Sequence, residues 1–265
     1  MKKIIALVMS ICMLAVFAGC GGKDSSKTDS EYVKEKGKLV VGITDFNPMD
    51  YEETKGSGKW IGFDADMAKE FAKSLGVDVE FVEIDWDNKI MELRNKSIDC
   101  VWNGMTISSE VKNGMSVSNA YCKNTQVVVV KKDVADKYKT VESVKGLKFA
   151  AEAGSAGESA LKALNYNVTS VTAQVDALME VNAGTSDAAV IDLLMAGAMV
   201  GEGTSYENLA YTVGVAEEED YGVGFRKGSD LTEKLNEFFK SSYGDGTMLK
   251  IAKTYGVQES IIEQK

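Results

Sequence analysis

Short apolar runs of strand character alternate with amphipathic helical stretches along most of this chain, which restricts it to an α/β fold around a largely parallel sheet. Residues 38–43 read as a buried strand. Residues 64–75 read as a helix, with Ala65, Ala68, Phe71, Ala72 and Leu75 on one face and Gly76 as its stop. Residues 77–83 alternate as a strand, a short helix capped by Asp87 runs through Arg94, and 98–102 is a strand again. After Tyr121 the pattern starts over. Strands at 126–131 and 147–152, a Gly-rich turn, helices at 158–164 and 173–182, a strand at 187–191 and a helix at 193–200 follow in turn. A strand at 221–226 and helices at 230–243 and 248–255 complete the chain. The restart predicts a second lobe, although no long linker marks its boundary.

The N-terminus says where such a fold would work. Met1, Lys2 and Lys3 precede an almost wholly apolar run over 4–17 and the small residues Ala18 and Gly19, which is the pattern of a signal peptide. The run is shorter than the ~20 residues a membrane-spanning helix needs. Phe17-Ala18-Gly19-Cys20 resembles a bacterial lipobox, with Phe17 where such boxes usually carry Leu. That resemblance implies a lipid on the Cys20 thiol and cleavage that makes Cys20 the new N-terminus. An ordinary secretory signal containing a Cys is the alternative. Residues 21–28 hold only Gly, Ser, Lys, Asp and Thr, so they bury nothing and suit a flexible leash. The expected product is extracytoplasmic and lipid-anchored to the cell membrane.

Composition removes several functions. With 40 acidic and 30 basic residues the chain is a poor match for nucleic acid. It has no His, which excludes Ser-His-Asp and Cys-His catalysis and any His metal ligand. No cofactor and no metal is expected. With Cys12 in the signal and Cys20 acylated, Cys100 and Cys122 remain, either as buried thiols or as a disulfide.

Several segments then occur in a telling order. Gly37-Lys38-Leu39-Val40-Val41-Gly42 opens the domain. Trp60-Ile61-Gly62-Phe63-Asp64-Ala65-Asp66 carries a GFDxD segment, Asp85-Trp86-Asp87 precedes a helix, and Asn103-Gly104-Met105-Thr106-Ile107-Ser108 matches an SGMTIT turn. Ala153-Gly154-Ser155-Ala156-Gly157-Glu158, Asp187-Ala188-Ala189-Val190-Ile191-Asp192 and Tyr221-Gly222-Val223-Gly224-Phe225-Arg226-Lys227-Gly228-Ser229 follow. Together, over nearly all of 37–264, these resemble the bacterial extracellular solute-binding proteins of family 3, the polar amino acid receptors of ABC importers. The resemblance implies a two-lobed, periplasmic-binding-protein-like (type II) fold whose lobes close on a ligand about a hinge. The expected organisation is a signal peptide at 1–19, lipidated Cys and flexible linker at 20–36, lobe 1 at 37–123 plus 220–265, and lobe 2 at 124–219. Two strands would cross between lobes near 121–126 and 217–221. The implied partners are a small polar ligand, the membrane permease and ATPase of an ABC importer, and the membrane through Cys20; the protein itself would be a monomer without enzymatic activity. A dehydratase-like enzyme with Glu152 as general acid, and a surface sensor or adhesin, are the competing readings.

The resemblance also implies a cleft. Phe46 and Trp86 fall where the family places aromatic walls, and each could instead be core. Gly104 and Thr106 would offer backbone groups and a hydroxyl from a turn, with Asn103 facing the cleft. Ser155 and Ala156, between Gly154 and Gly157, precede a helix whose free amides suit a carboxylate; Ser155 can cap the same helix. Asp192 would pair with a ligand ammonium or cap the helix that follows it. One position departs: Val111 stands where relatives commonly carry an Arg that grips the ligand carboxylate. Lys112 is turned away by ~100° on a helix. Glu152, where relatives carry Gln or Lys, adds a negative group. Both changes point to a neutral or cationic polar ligand, or one with a masked carboxylate, rather than glutamate or aspartate.

Overall fold

Two open sheets carry the chain, and the apolar runs supply their strands. The structure, a computed structural model, describes residues 27–265. The signal peptide, Cys20 and the beginning of the linker lie outside the described residues. The first sheet has the order Asp78–Glu83, Lys38–Ile43, Cys100–Thr106, Glu219–Phe225, Ser116–Val117, with Cys122–Asn124 also paired to Glu219–Phe225. Its first three strands are parallel, and Glu219–Phe225 runs antiparallel to its neighbours. The second sheet has the order Val168–Val171, Phe149–Glu152, Ala188–Asp192, Gln126–Lys131, Leu209–Gly214. Gln126–Lys131 is antiparallel to both its neighbours there. Val127, Val128, Val129 and Val130 are all buried, because this strand is covered on both faces and β-branched residues fill both.

The chain passes between the sheets twice, and the passages lie side by side. Cys122–Asn124 leads into Gln126–Lys131, and Leu209–Gly214 leads back into Glu219–Phe225. Asn124 pairs with Glu219 and Cys122 with Tyr221, so the two crossings form one short antiparallel ribbon. The architecture is α/β and two-lobed, with this ribbon as the hinge.

Helix Phe63–Leu75 shows how the sequence sets the packing of the first lobe. Phe63, Met67, Ala68, Phe71 and Ala72 form its buried face, and Gly76 ends it in the left-handed conformation at φ 74°. At Gly62, φ is 127° and a Cβ would lie 2.1 Å from the Met49 carbonyl oxygen, so only glycine lets the chain turn into the helix. Trp102, Tyr121 and Phe239 pack behind it, with ring centroids 5.5 Å apart for Tyr121–Phe239 and 5.6 Å for Trp102–Phe239.

Three departures from the sequence reading have physical causes. Residues 29–36, expected as part of the linker, form helix Asp29–Lys36. Thr28 and Glu31 make a reciprocal capping box, Gly37 closes the other end, and Val33 is fully buried. Arg226 Nε donates to both Asp29 carboxylate oxygens at 3.0 Å, and Ser30 N donates to Asp230 Oδ1 at 2.9 Å. The segment is ordered by tertiary contacts that a composition reading does not weigh. Secondly, the strand expected at 98–102 runs over Cys100–Thr106, since Met105 and Thr106 pair with Gly222 and Tyr221; the expected turn is the end of this strand. Thirdly, Asp87 does not cap a helix: a 3-10 turn over Trp86–Asn88 leads into helix Lys89–Arg94 with no side-chain cap. The open question of the cysteines is also decided, since Cys100 and Cys122 are free and buried. They sit opposite Phe225 and Tyr221 on the two sides of one strand. Four strand residues span roughly 13 Å, beyond the ~7 Å Cα separation that a disulfide bridges.

Candidate functional site

The carboxyl end of strand Cys100–Thr106 faces the start of helix Ala156–Ala163 across a cavity of about 170 Å³. From the first lobe come Trp86, Asn103, Gly104 and Thr106. From the second come Glu152, Ser155, Ala156 and Asp192. Phe46 is the exception among the sequence-designated residues. Phe46 N donates to Asp50 O and Asp50 N to Phe46 O, at 2.6 and 2.8 Å, and this narrow loop turns the ring inward. The ring is 1% exposed and sits edge-on to Tyr221, under Gly104, where a Cβ would be 2.4 Å from it. It supports the wall and does not form it.

Other groups are already committed within the protein. Gly104 N donates to Asp64 Oδ2 at 2.7 Å, so this amide is not offered to the cavity. Asn103 exchanges two bonds with Thr44, accepting from its amide at 2.8 Å and donating to its hydroxyl at 3.1 Å. Ser155 Oγ accepts from Glu158 N at 3.1 Å and so caps the helix, and Glu158 Oε2 accepts from Gly154 N at 3.0 Å. The amides of Ala156 and Gly157 have no acceptor among the described residues. They leave the helix N-terminus open to an anion.

Asp192 does not cap the helix after it. Its Oδ1 accepts from Asn124 Nδ2 at 2.5 Å, Gln126 Nε2 at 2.8 Å and the Tyr221 hydroxyl at 2.5 Å, while Oδ2 receives no donor among the described residues. The same two amides donate to Glu219 Oε1, at 2.7 and 2.6 Å. Burial, then the charge of Glu219, pushes Asp192 up to about 7 against the pull of its donors. Glu152 is buried, with Oε1 unpartnered. Burial, then the charge of Asp192, raises it to about 8, with Lys89 opposing.

Residues that the sequence reading missed complete the walls. Gln174 Oε1 accepts from Asp192 N at 2.9 Å and so fixes that backbone. Lys89 is 6% exposed and its Nζ donates to Trp86 O at 3.0 Å and to Gly154 O, in the other lobe, at 3.1 Å. A signal existed: Lys89 and Leu93 are four apart on one helix and share its buried face. Val111 lines the cavity, whereas Lys112 is exposed and borders a separate groove. The lobes are in tight contact at Gly154, whose φ is 69° and where a Cβ would stand 2.6 Å from Asp87 Oδ1 and 2.9 Å from Asp87 Cα. Among the described residues no group of His, Cys, Asp or Glu is arranged to hold a metal ion.

Comparison with known proteins agrees with this geometry. The profile described as bacterial extracellular solute-binding proteins, family 3, matches residues 39–258. The arginine-binding extracellular protein ArtP of Bacillus subtilis is 28% identical, with 96% of this chain and 98% of that protein covered. The ABC transporter glutamine-binding protein GlnH of the same organism is 30% identical, covering 96% and 97%. A solved ABC uptake transporter substrate-binding protein from Streptococcus pneumoniae with bound histidine superposes with a TM-score of 0.79 at 28% identity, covering 87% of this chain and 97% of that one.

Proposed function

The chain belongs to the bacterial extracellular solute-binding proteins of family 3, and from that membership we propose that it captures a polar amino acid between its lobes and delivers it to the permease of an ABC importer. The observation that carries this reading is a pair of opposed groups in one cavity. The free Oδ2 of Asp192 suits an ammonium, and the open amides of Ala156 and Gly157 suit a carboxylate. Phe46 keeps only a supporting place in the proposed site, while Trp86, Asn103, Gly104, Thr106, Glu152, Ser155, Ala156 and Asp192 border it.

The preferred side chain is neutral or cationic. Glu152 and Asp192 bring acidic groups whose ionised form a ligand cation would favour, Val111 brings no cation, and relatives are named for arginine and glutamine. A melting-temperature screen followed by calorimetry against arginine, lysine, histidine, glutamine and glutamate tests this, since a ligand bound only by the folded protein raises its melting temperature. The expected result is a shift with at least one of the first four and none with glutamate. Tight glutamate binding with no response to the others overturns the preference.

The protein acts without catalysis in this reading. Glu152 has the raised pKa of a general acid, which is what favours the dehydratase alternative. A cavity bordered by three acidic side chains and a single lysine does not suit an anionic substrate. The proposed site of action is extracytoplasmic, with Cys20 acylated. Fractionation of cells making the chain or its Cys20→Ser variant tests the anchor: the wild type is expected with membranes and the variant in the soluble fraction. Equal partitioning sinks it.

A further inference from the structure

An amino acid needs a counter-charge for each of its two ends, and the cavity supplies them unequally. Glu110, Glu152 and Asp192 border it, and Lys89 is the one cation among its lining residues. A lysine ammonium that is nearly out of water must be compensated. Two of its three N–H bonds are used on the carbonyls of Trp86 and Gly154, and its Nζ lies 4.8 Å from the centre of the Trp86 ring. The third N–H has no acceptor among the described residues. Burial lowers the pKa of Lys89, while Glu110, Glu152 and Asp87 act to keep its charge. Gly154 O, which it holds, is two residues before Ala156, the first residue of the helix whose amides stay open. Lys89 and the Ala156 end of the helix therefore border one cavity and are joined through Gly154.

We propose that Lys89 is the carboxylate-anchoring, specificity-determining residue of this site, binding the α-carboxylate together with the Ala156 and Gly157 amides while its bond to Gly154 ties the lobes. This rests on the amino acid reading above. It explains how a cavity with Val111 in its wall can hold a carboxylate, and it ties recognition of that group to closure. It also fills one face of Trp86 with the protein's own cation, so a cationic ligand side chain has to find its partner at Glu152 and not on that face of the ring.

The test compares each amino acid with the amine that lacks only the carboxylate: L-arginine with agmatine and L-histidine with histamine, by calorimetry on the wild type, Lys89→Met and Lys89→Arg. The wild type is expected to bind at least one amino acid about 100-fold more tightly than its amine. In Lys89→Met both affinities fall as the bond to Gly154 O is lost, but the amino acid falls much further, so the gap narrows to about fivefold, and Lys89→Arg restores most of it. A gap that survives in Lys89→Met, or an equal loss for acid and amine, overturns the role of Lys89 and leaves the amino acid reading standing. Any other amino acid that binds is compared with its own decarboxylated amine in the same way, and a wild type that binds no amino acid overturns that reading itself, and the anchor with it.

Discussion

Asp192→Asn lowers affinity for the bound amino acid about 100-fold at pH 8 and flattens its pH dependence. The substitution keeps the shape of the side chain and an oxygen that can still accept from Gln126 Nε2 and the Tyr221 hydroxyl. The fold should therefore persist. What is lost is a full negative charge opposite the ligand ammonium, and a charge-assisted bond contributes ~1.5–3 kcal/mol, of which ~2.7 is a hundredfold in affinity. The pH effect follows from the position of Asp192 in the protein, where burial and the charge of Glu219 raise it to about 7. The ammonium requires the ionised carboxylate, so below that value binding must expel a proton. Affinity then rises about tenfold per pH unit towards pH 7 and levels off above it. Calorimetry from pH 5.5 to 8 in two buffers of different ionisation enthalpy reads both the constant and the proton released. A wild type that is flat over this range, or an Asn variant within threefold of it, would sink the assignment.

Gly154→Ala should prop the lobes apart. The new methyl would meet both the side chain and the backbone of Asp87, within 2.6 and 2.9 Å, and Asp87 is fixed in the other lobe. Backbone cannot swing aside as a flexible side chain can, so the closed arrangement alone is penalised, while the cost of φ 69° for alanine, ~1–2 kcal/mol, falls on open and closed forms alike. A closed state destabilised by about 2 kcal/mol reduces apparent affinity about 30-fold, because only the competent fraction holds ligand. Small-angle scattering should show the variant staying expanded at ligand concentrations that compact the wild type. A variant that compacts at the same concentration as wild type would place the closure contact elsewhere.

What the sequence makes legible depends on whether a residue's fate is local. The run Val127–Val130 can be little else than a covered strand, and Gly76 and Gly184 end helices by a conformation that glycine alone adopts cheaply. The edge strands Val168–Val171 and Leu209–Gly214 do not announce themselves, because a half-exposed strand carries a mixed pattern. Helix Asp29–Lys36 escapes notice for a different reason: its stability comes from Arg226 and Asp230, some 200 residues away. In the cavity, Trp86, Asp192 and the Gly154–Gly157 turn are visible as motifs. Phe46 misleads because polar neighbours suggest a loop at the surface, while the Phe46–Asp50 bridge folds its ring inside. Lys89 shows in the sequence only as the helical neighbour of Leu93, while the carbonyls that hold its ammonium come from two lobes that no window of sequence contains together.

The helix at Asp29–Lys36 also settles a question of leverage. It is bolted to Arg226 and Asp230, beside the sheet that holds Glu219–Phe225, so whatever chain precedes it departs from the first lobe. With Cys20 acylated as proposed, the eight residues from there to Thr28 reach at most ~30 Å. The first lobe then behaves as a moored base plate and the second as the jaw, which sweeps the medium at the far end of a short mooring line and returns its catch to a plate already alongside the bilayer.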